Sequence, residues 1–531
     1  MPRPLPSEVR LTLDLDEPDD LDALRGRAAR ALGTDVAVLP AIVVVKRSLD
    51  ARGGRVRFHL TLAIGDEPGG GPDTRFGGPA PQPIDDPRRV VIVGSGPAGL
   101  WCAYELARAG IGSTVVERGK PVQPRRRDLR GLTIHGRVDP DSNYCFGEGG
   151  AGTYSDGKLY TRSHKRGDVR DVTEILVAHG APEEILTDAR PHIGSNRLPR
   201  VVTALRERLE AAGVRFVFDA RVSDLHVDDG RVRGVHLADG RTLEAEAVVL
   251  ATGHSASDVI AILERHRVRL EAKGFALGVR IEHPQPAIDG IQYGRSAGHP
   301  RLPAAAYRLA HEVEGRGVFS FCMCPGGFIV PAATEPDGLV VNGMSLSRRD
   351  SPFANSGLVV AVEPGDVAAA GFPGPTGGIE LQRSLERTAA LAGGGALVAP
   401  AVRVTDFLAG RASSTLPTSS YVPGLASADL TELLDATRLP VADRLRAALS
   451  RFDRSMRGYV TDEAVLVGVE SRTSSPVRVP RDPVSLESPD LACLYPCGEG
   501  AGYAGGIMSA ALDGMRVARA LTSRLTHRAS R

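Results

Sequence analysis

Residues 90–119 read VVIVGSGPAGLWCAYELARAGIGSTVVERG, and this stretch decides the fold class. An apolar run leads into Gly94, Gly96 and Gly99, which open a segment with helical spacing. The first glycine permits a tight turn, the second lets the backbone approach a pyrophosphate, and the third lets the helix pack on the strand. The first turn of such a helix offers N–H groups and partial positive charge to phosphates. The stretch therefore predicts a dinucleotide-binding strand–turn–helix unit.

A second strand-like run, STVVE, follows this helix and ends at Glu117. The acidic residue comes roughly 20 residues after the glycine turn, as expected of the group that binds the adenosine ribose. Its carboxylate is predicted to accept hydrogen bonds from the ribose hydroxyls and to repel a 2′-phosphate. NADP is therefore not expected in this site, whereas FAD and NAD both remain.

Two later segments favour FAD over NAD. Residues 245–258 (AEAVVLATGHSASD) have the pattern of a strand that ends in a turn, and residues 494–518 (LYPCGEGAGYAGGIMSAALDGMRVA) that of a strand, a glycine-rich turn and a helix. Glu499 in the second turn is placed to bind a ribityl hydroxyl. The helix is predicted to begin near Gly505 and to face the N1/C2=O edge of a flavin, where negative charge gathers on reduction. NAD has no such edge.

These segments resemble the FAD-binding set of the glutathione-reductase-type flavoproteins, and more closely an uncharacterised bacterial and archaeal family of FAD-dependent dehydrogenases. The resemblance covers almost the whole chain and implies a ferredoxin-like N-terminal module, a two-part FAD domain and a substrate domain, but no particular substrate. Its marks are VKRSLDAR (45–52), GEGGAGTYSDGKL (147–159), ATGHSASD (251–258), SFCMCPGG (320–327), NGMSLSRRD (342–350), ESRTSSPVR (470–478) and YPCGEGAGYAGGI (495–507).

The resemblance also assigns a role to the glycine-rich residues 147–159. Taken alone, this cluster equally suits a flexible surface loop. In related flavoproteins such a loop wraps the pyrophosphate and leads onto the flavin, so glycine N–H groups would face phosphate oxygens, and Ser155, Asp156 and Lys158 would lie toward the isoalloxazine ring. The predicted FAD-binding residues are Gly94, Gly96, Pro97, Ala98, Gly99, Glu117, Arg118, Gly149, Gly150, Gly152, Thr153, Ser155, Asp156, Gly157, Lys158, Val222, Ala251, Thr252, Gly253, Gly498, Glu499, Gly500, Gly505, Gly506 and Ile507.

Length and patterning indicate several domains, because 531 residues exceed what one hydrophobic core normally organises. We predict an α/β fold in which a Rossmann-like FAD-binding domain is interrupted by a β-rich domain and preceded by the small ferredoxin-like α/β module. The predicted divisions are the N-terminal module (1–66), a Gly- and Pro-rich linker (67–88), the first part of the FAD domain (89–272), a β-rich substrate or cap domain (273–483) and the C-terminal part of the FAD domain (484–531).

Composition excludes several other classes of protein. A formal net charge of +1 gives no reason to expect nucleic acid or an anionic membrane as the main partner. No apolar run reaches the roughly 18 residues of a membrane span, and the first residues lack the apolar region of a secretory signal. Six cysteines in this length do not form a disulfide framework, so we expect a cytoplasmic protein with reduced thiols. The oligomeric state stays open.

The sequence places no standard redox pair in the glycine-rich loop. Disulfide reductases of the resembled group carry a CxxxxC pair there, whereas this loop has none, so a dithiol reductase mechanism is not expected. Cys322 and Cys324 lie in a strand pattern and are interpreted mainly as packing residues, with a redox or nucleophilic role as the alternative. A CxC pair offers too few ligands for a metal, and no metal is expected.

Three residues are the catalytic candidates at the flavin face: Lys158 to stabilise charge at N5, His283, and Tyr503 as a proton donor or a shield over the ring. Arg125, in a run of arginines that reaches residue 130, could bind an acidic substrate, but a solvated segment is the favoured interpretation. A second GxGxxG unit is missing from the sequence, so NAD(P)H would bind in the open substrate cleft, as a transient electron donor, or not at all.

Together these features predict an FAD-dependent oxidoreductase that exchanges a hydride between flavin N5 and an unidentified small molecule. The alternative is a non-redox flavoprotein in which FAD is structural or supports isomerisation or elimination. A weaker third hypothesis is a nucleotide-sensing protein that binds a partner through its N-terminal module. Reducibility of the flavin separates these classes.

Overall fold

The computed structural model describes residues 5–65, 80–160 and 167–529. The predicted linker, residues 67–88, is described only from residue 80 onward, and its earlier part lies outside the described residues. Within the described ranges the strands form six sheets.

The N-terminal unit has the β-α-β-β order expected from its sequence pattern. Its elements are β1 (Glu8–Asp14), α1 (Leu21–Leu32), β2 (Ile42–Asp50) and β3 (Arg57–Ile64). The three strands form an antiparallel sheet in the order β1-β3-β2. Val9, Leu11 and Leu13 of β1 are buried while the residues between them are exposed, so strand alternation turns one face of the sheet toward α1 and the core.

From residue 80 to residue 272 strands and helices alternate at first, and a run of five strands then follows between residues 215 and 250. The first part contains β4 (Val90–Val93), α2 (Pro97–Arg108), β5 (Ser113–Val116), α3 (Val122–His135), α4 (Val169–Ala178), α5 (Leu198–Ala211), β6 (Arg215–Val217), β7 (Val222–Asp228), β8 (Arg231–Leu237), β9 (Thr242–Glu244), β10 (Ala247–Leu250), α6 (Ser257–Arg265) and β11 (Glu271–Ala272). Strands β7, β8 and β9 form a small antiparallel sheet of their own.

A strand-rich part follows. It contains β12 (Phe275–Pro284), α7 (Gln285–Tyr293), β13 (Ala310–Val313), β14 (Arg316–Cys324), β15 (Gly327–Pro331), β16 (Val341–Ser345), β17 (Phe353–Val362), α8 (Pro364–Ala369), α9 (Gly377–Gly393), β18 (Ala399–Arg403), α10 (Val404–Leu408), β19 (Leu425–Ser427), α11 (Leu430–Asp435), α12 (Val441–Ser455), β20 (Val465–Glu470) and β21 (Val477–Arg478). The last two elements are β22 (Leu494–Pro496) and α13 (Ile507–Ala529).

A five-stranded parallel sheet in the order β22-β10-β4-β5-β6 forms the Rossmann-like part of the fold. Strands β4, β5 and β10 are buried at every position, as expected of a parallel sheet covered on both faces. Helices α2 and α13 pack so closely that a Cβ added at Gly514 would lie 2.1 Å from the carbonyl oxygen of Ala98. Residues far apart in the chain therefore share one sheet and one helical layer.

The strand-rich part is organised around a seven-stranded sheet with the order β13-β14-β17-β12-β20-β18-β19. All neighbours in it are antiparallel except β18 and β19. Strand β12 lies near the middle and is buried along almost its whole length. The α/β fold class with a parallel sheet is confirmed, while the domain boundaries given above stay predictions.

In the described ranges, no helix combines the length and the apolar character that a membrane crossing requires.

Candidate functional site

A cavity of about 440 Å³ opens where β4 and β10 end and where α2 and α13 begin. Carboxyl ends of parallel strands and N-termini of helices are the usual ligand edge of such sheets. The cavity is bounded on the other side by residues of β14, β15 and β16. Of the residues predicted to bind FAD, its lining includes Gly94, Gly96, Pro97, Ala98, Glu117, Arg118, Gly150, Gly152, Ser155, Asp156, Gly157, Lys158, Val222, Ala251, Thr252, Gly253, Glu499, Gly505, Gly506 and Ile507.

The remaining predicted residues, Gly99, Gly149, Thr153, Gly498 and Gly500, lie behind this lining and shape its turns. A Cβ added at Gly99 would lie 1.9 Å from the Gly94 carbonyl oxygen, and one added at Gly500 would lie 2.4 Å from the Gly253 carbonyl oxygen. The Thr153 hydroxyl donates to the Glu148 carbonyl at 2.7 Å. These positions hold backbone turns in place and do not face the cavity.

The two glycine-rich turns pack backbone against backbone. The Gly149 N–H donates to the Ser95 carbonyl at 3.1 Å, and a Cβ added at Gly150 would lie 3.1 Å from the Gly96 Cα. Gly149 and Gly150 both have left-handed φ values, 77° and 61°, which favour glycine. The loop therefore follows the β4–α2 turn closely, and this agrees with its predicted place at the pyrophosphate.

Glu117 is buried at the end of β5, and its carboxylate already has four donors. One oxygen accepts from the N–H and the hydroxyl of Ser95 at 3.0 and 2.7 Å, and the other accepts from the N–H groups of Gly119 and Gly147, both at 3.0 Å. Glu117 thus joins the first turn to the glycine-rich loop. Its predicted bond to ribose hydroxyls stays a prediction.

Arg125 corrects the solvated-segment interpretation of the arginine run. Its guanidinium is fully buried, and it donates to the carbonyls of Asn143, Glu148, Tyr144 and Gly150 at 2.9, 2.8, 3.0 and 3.0 Å. Burial is the main cause that lowers the pKa of Arg125. The side chain therefore stabilises the glycine-rich loop through these hydrogen bonds. The other arginines of the run, Arg126, Arg127 and Arg130, are exposed as expected.

A buried ion pair fixes the turn before α13. Asp513 accepts from the Gly498 N–H at 2.8 Å and from both terminal nitrogens of Arg481 at 2.6 and 2.9 Å. Helix α13 begins at Ile507, where the sequence predicted it. The sequence does not predict the Asp513–Arg481 pair, because neither residue belongs to a recognisable motif.

Lys158 and Asp156 form a charged cluster at the cavity wall. The Lys158 ammonium lies 2.8 Å from one Asp156 oxygen, and Arg349 donates to the same carboxylate at 2.8 Å. The Ser345 hydroxyl also donates to Asp156. Burial alone would raise the pKa of Asp156, but the positive charges of Lys158 and Arg349 outweigh it and lower that pKa. Asp156 is therefore a fixed anion that orients Lys158.

The other two catalytic candidates lie elsewhere. His283 is buried in β12, with its Nε2 2.7 Å from the Tyr459 carbonyl oxygen, and it is not part of the cavity lining. The Tyr503 hydroxyl donates to the Val479 carbonyl at 3.1 Å, and its ring lies 3.8 Å from the Arg481 guanidinium, also outside the lining. Of the three candidates, Lys158 alone faces the cavity.

The placement of His283 predicts a pH-dependent stability. Burial lowers its pKa from 6.5 to about 4, so the unfolded chain binds the proton more tightly than the native protein between these values. Stability present above pH 6.5 is therefore lost as pH falls toward 4, by about 2 kcal/mol between pH 7 and pH 5. Urea unfolding of the wild type and of His283→Gln at both pH values measures this loss. The variant should lose about 2 kcal/mol less than the wild type over this interval; equal losses would contradict the assignment.

The residues present fit FAD. The first turns of α2 and α13 both open onto the cavity, and N–H groups there have no partner within their helix. The Ser255 hydroxyl lines the same space, is buried, and has no hydrogen-bond partner among the residues that the structure describes. His254, with Nδ1 3.6 Å from a Glu499 oxygen, lies beside it. An elongated ligand with a diphosphate and several hydroxyls would satisfy these groups.

Comparisons with protein families agree with this cofactor. Residues 274–473 match the family described as FAD-dependent protein, C-terminal domain-like; residues 194–329 match FAD dependent oxidoreductase; and residues 88–138 match FAD binding domain. Residues 6–65 match a domain of unknown function. FAD is thus the cofactor.

A protein of Clostridium beijerinckii described as uncharacterized is 39% identical over 532 residues, which span 96% of this chain and 97% of that protein. Solved structures are far more distant. The FAD complex of glycerol-3-phosphate dehydrogenase from Bacillus halodurans shares 12% identity, covers 83% of this chain and 66% of its own, and has a TM-score of 0.37. A geranylgeranyl bacteriochlorophyll reductase-like protein of Thermoplasma acidophilum shares 11%, with coverages of 84% and 80% and a TM-score of 0.34. Neither likeness bears on substrate or reaction.

Proposed function

The chain belongs to the same family as the Clostridium beijerinckii protein, and from this membership and its FAD-binding domains we propose that it is an oxidoreductase that exchanges a hydride between flavin N5 and a small molecule. FAD when bound supplies the two-electron chemistry. One observation carries the proposal: the Lys158–Asp156 cluster and the start of α13 line the same cavity.

The chain's residues have distinct tasks in such a reaction. Lys158 lines the cavity with its ammonium, whose positive charge can stabilise a group that gains negative charge. Asp156 holds this ammonium in one place, because Arg349 and Ser345 fix the carboxylate in turn. The N-terminus of α13 adds partial positive charge from a second direction.

Apolar side chains enclose the part of the cavity next to β15 and β16. Val330, Val340, Val341 and Met344 contribute to its lining, and all but Met344 are buried. Such a wall excludes water and strengthens the electrostatic effect of Lys158 on a substrate. The space beside this wall is the proposed substrate site, and NAD(P)H is proposed to enter it only transiently.

Anaerobic absorbance titration with NADH and NADPH, and then with a panel of small alcohols, hydroxy acids and amines, tests the proposal. We expect bleaching of the flavin band near about 450 nm with at least one donor, and its return when an acceptor is added. Lys158→Met should slow the bleaching by about 100-fold, as when one charge-stabilising donor is removed. The exposed Lys46, which lies in the N-terminal module, gives the matched control Lys46→Met, which should be as fast as wild type.

One outcome of the titration would contradict the proposal. If dithionite reduces the flavin but no donor of the panel does, the hydride-transfer proposal is wrong, and the non-redox class of flavoprotein takes its place. FAD content of Lys158→Met is measured in parallel, so that loss of the cofactor is not mistaken for loss of reactivity.

A further inference from the structure

Two cysteines of β14 lie beside the Lys158 ammonium. The Cys324 Sγ lies 3.4 Å and the Cys322 Sγ 3.7 Å from Lys158 Nζ. Cys322 is partly exposed and lines the cavity, whereas Cys324 is completely buried. The pair thus combines an accessible thiol with a protected one beside the same cation.

The backbone of β14 is irregular at this point. Its pairing with β17 shifts register between Phe321 and Cys324, and Cys322 has a φ of 44°, in the left-handed region that few non-glycine residues adopt. In a regular strand, residues two apart are about 6.6–6.8 Å apart, at the upper limit for a disulfide. The bulge breaks this regular spacing and brings both sulfurs to one ammonium. Such local strain is typical of functional positions.

The groups around the pair shift the pKa values of its two thiols in opposite directions. The neighbouring Cys324 thiol, followed by the positive charges of Lys158 and Arg280, lowers the pKa of Cys322 well below its ordinary value, against the effect of burial. The neighbouring Cys322 sulfur and burial raise the pKa of Cys324, whose thiol donates to the Cys322 carbonyl at 3.3 Å. Arg280 is fully buried and paired with Glu470 at 2.8 Å, so its charge stays fixed near the pair. An accessible thiolate beside a protonated thiol is what thiol–disulfide exchange requires.

We propose that Cys322 and Cys324 are a redox-active dithiol of the FAD cavity, with Cys322 as the attacking thiolate and Lys158 as the cation that holds it. The substrate class that this pair takes is a low-molecular-weight disulfide. The inference rests on the proposed function, which supplies electrons to the flavin.

The electron balance is closed. The Cys322–Cys324 disulfide would accept two electrons and one proton from bound, reduced FAD; its S–S bond would break, the proton would go to Cys324, and Cys322 would stay a thiolate. The Cys322 thiolate then attacks the substrate disulfide and releases one thiolate. Cys324 gives up its proton to the medium and attacks the mixed disulfide, which releases the second thiolate and restores the Cys322–Cys324 bond. One substrate disulfide is reduced for each pair of electrons.

The first test reads the thiols directly. Holoprotein is equilibrated anaerobically with either dithiothreitol or hydroxyethyl disulfide, quenched in acid to stop exchange, unfolded, alkylated and digested. We expect the peptide with residues 320–327 to carry alkyl groups on both cysteines after dithiothreitol and an internal disulfide after hydroxyethyl disulfide. Cys145, which also lines the cavity, should remain a free thiol or a mixed disulfide. If Cys322 and Cys324 never join, the proposal is wrong.

The second test links the pair to the flavin. Holoprotein reduced with dithionite should be reoxidised by hydroxyethyl disulfide without oxygen, and Cys322→Ser should lower this rate by about 100-fold because the attacking thiolate is lost. Cys324→Ser should form the mixed disulfide but leave the flavin reduced, because it cannot form the Cys322–Cys324 bond, and the exposed-lysine control Lys46→Met should match wild type. Equal rates in all four proteins would overturn the proposal. Reduction of the flavin by its donor is measured separately, so failure of the dithiol and failure of the oxidoreductase proposal give different results.

Discussion

Arg125→Met should produce a protein that folds poorly and retains little FAD. Methionine is of similar length, but it offers no donor to the four loop carbonyls that Arg125 serves. Thr153 still donates to two of these carbonyls, those of Glu148 and Gly150. The other two lose their donor at about 1–3 kcal/mol each, so the loss should reach about 2–6 kcal/mol. The carbonyls belong to residues 143–150, which carry the glycine-rich loop, and the loop is expected to lose its place before the rest of the protein unfolds.

The measurement is the FAD to protein ratio after gel filtration, together with urea unfolding. We expect FAD affinity at least about 100-fold weaker, the equivalent of about 2.7 kcal/mol. Arg127→Met removes an exposed arginine of the same helix and should change neither quantity by more than about 0.5 kcal/mol. If Arg125→Met binds FAD as tightly as Arg127→Met, the hydrogen bonds of Arg125 are not what holds the glycine-rich loop in place.

Gly99→Ala is the second change with a large expected effect. Its Cβ would lie 1.9 Å from the Gly94 carbonyl oxygen and 3.3 Å from the Ile92 side chain, so the β4–α2 turn would have to open. Overpacking against backbone costs about 1–3 kcal/mol or more, since backbone cannot rotate away as a side chain can. The turn that opens is the one predicted to receive the pyrophosphate, so FAD binding should fall together with stability.

A glycine in another helix is the control. Within the described part of the chain, Gly131 in α3 has no neighbour within 4 Å of an added Cβ, and alanine is favoured over glycine in a helix by up to about 1 kcal/mol. Gly131→Ala should therefore keep its FAD and unfold at the same or a higher urea concentration. Isothermal titration calorimetry of the apoproteins with FAD compares the FAD affinities of Gly99→Ala and Gly131→Ala. Equal affinities would show that the turn adapts to the methyl group.

The sequence predicted those parts of the site that are local in the chain. The strand–turn–helix at Gly94–Gly99, Glu117 at the end of β5 and the start of α13 each follow from a pattern within a few residues. Arg125 could not be placed in the same way, because its burial depends on residues 143–150 folding back over α3. Viewed alone, it is one arginine in a basic run.

The catalytic candidates also depend on contacts between distant residues, which a local sequence pattern does not predict. His283 is a catalytic candidate in the sequence, but β12 pairs on both sides and lies near the middle of the seven-stranded sheet, so even its polar side chains are buried. The regular alternation of a strand predicted Cys322 and Cys324 as packing residues. The register shift that brings them to Lys158 arises from the pairing of β14 with β17, which no short segment records.

The parallel sheet joins β10 to β22, and α2 to α13, across the whole strand-rich part of the chain. During synthesis at about 5–20 residues per second, the N-terminal fingerprint would leave the ribosome well before its neighbours exist. We therefore expect FAD to be loaded late, once residues 494–529 have been synthesised. Until then one edge of β10 is unpaired, which makes the nascent chain a natural client for chaperones.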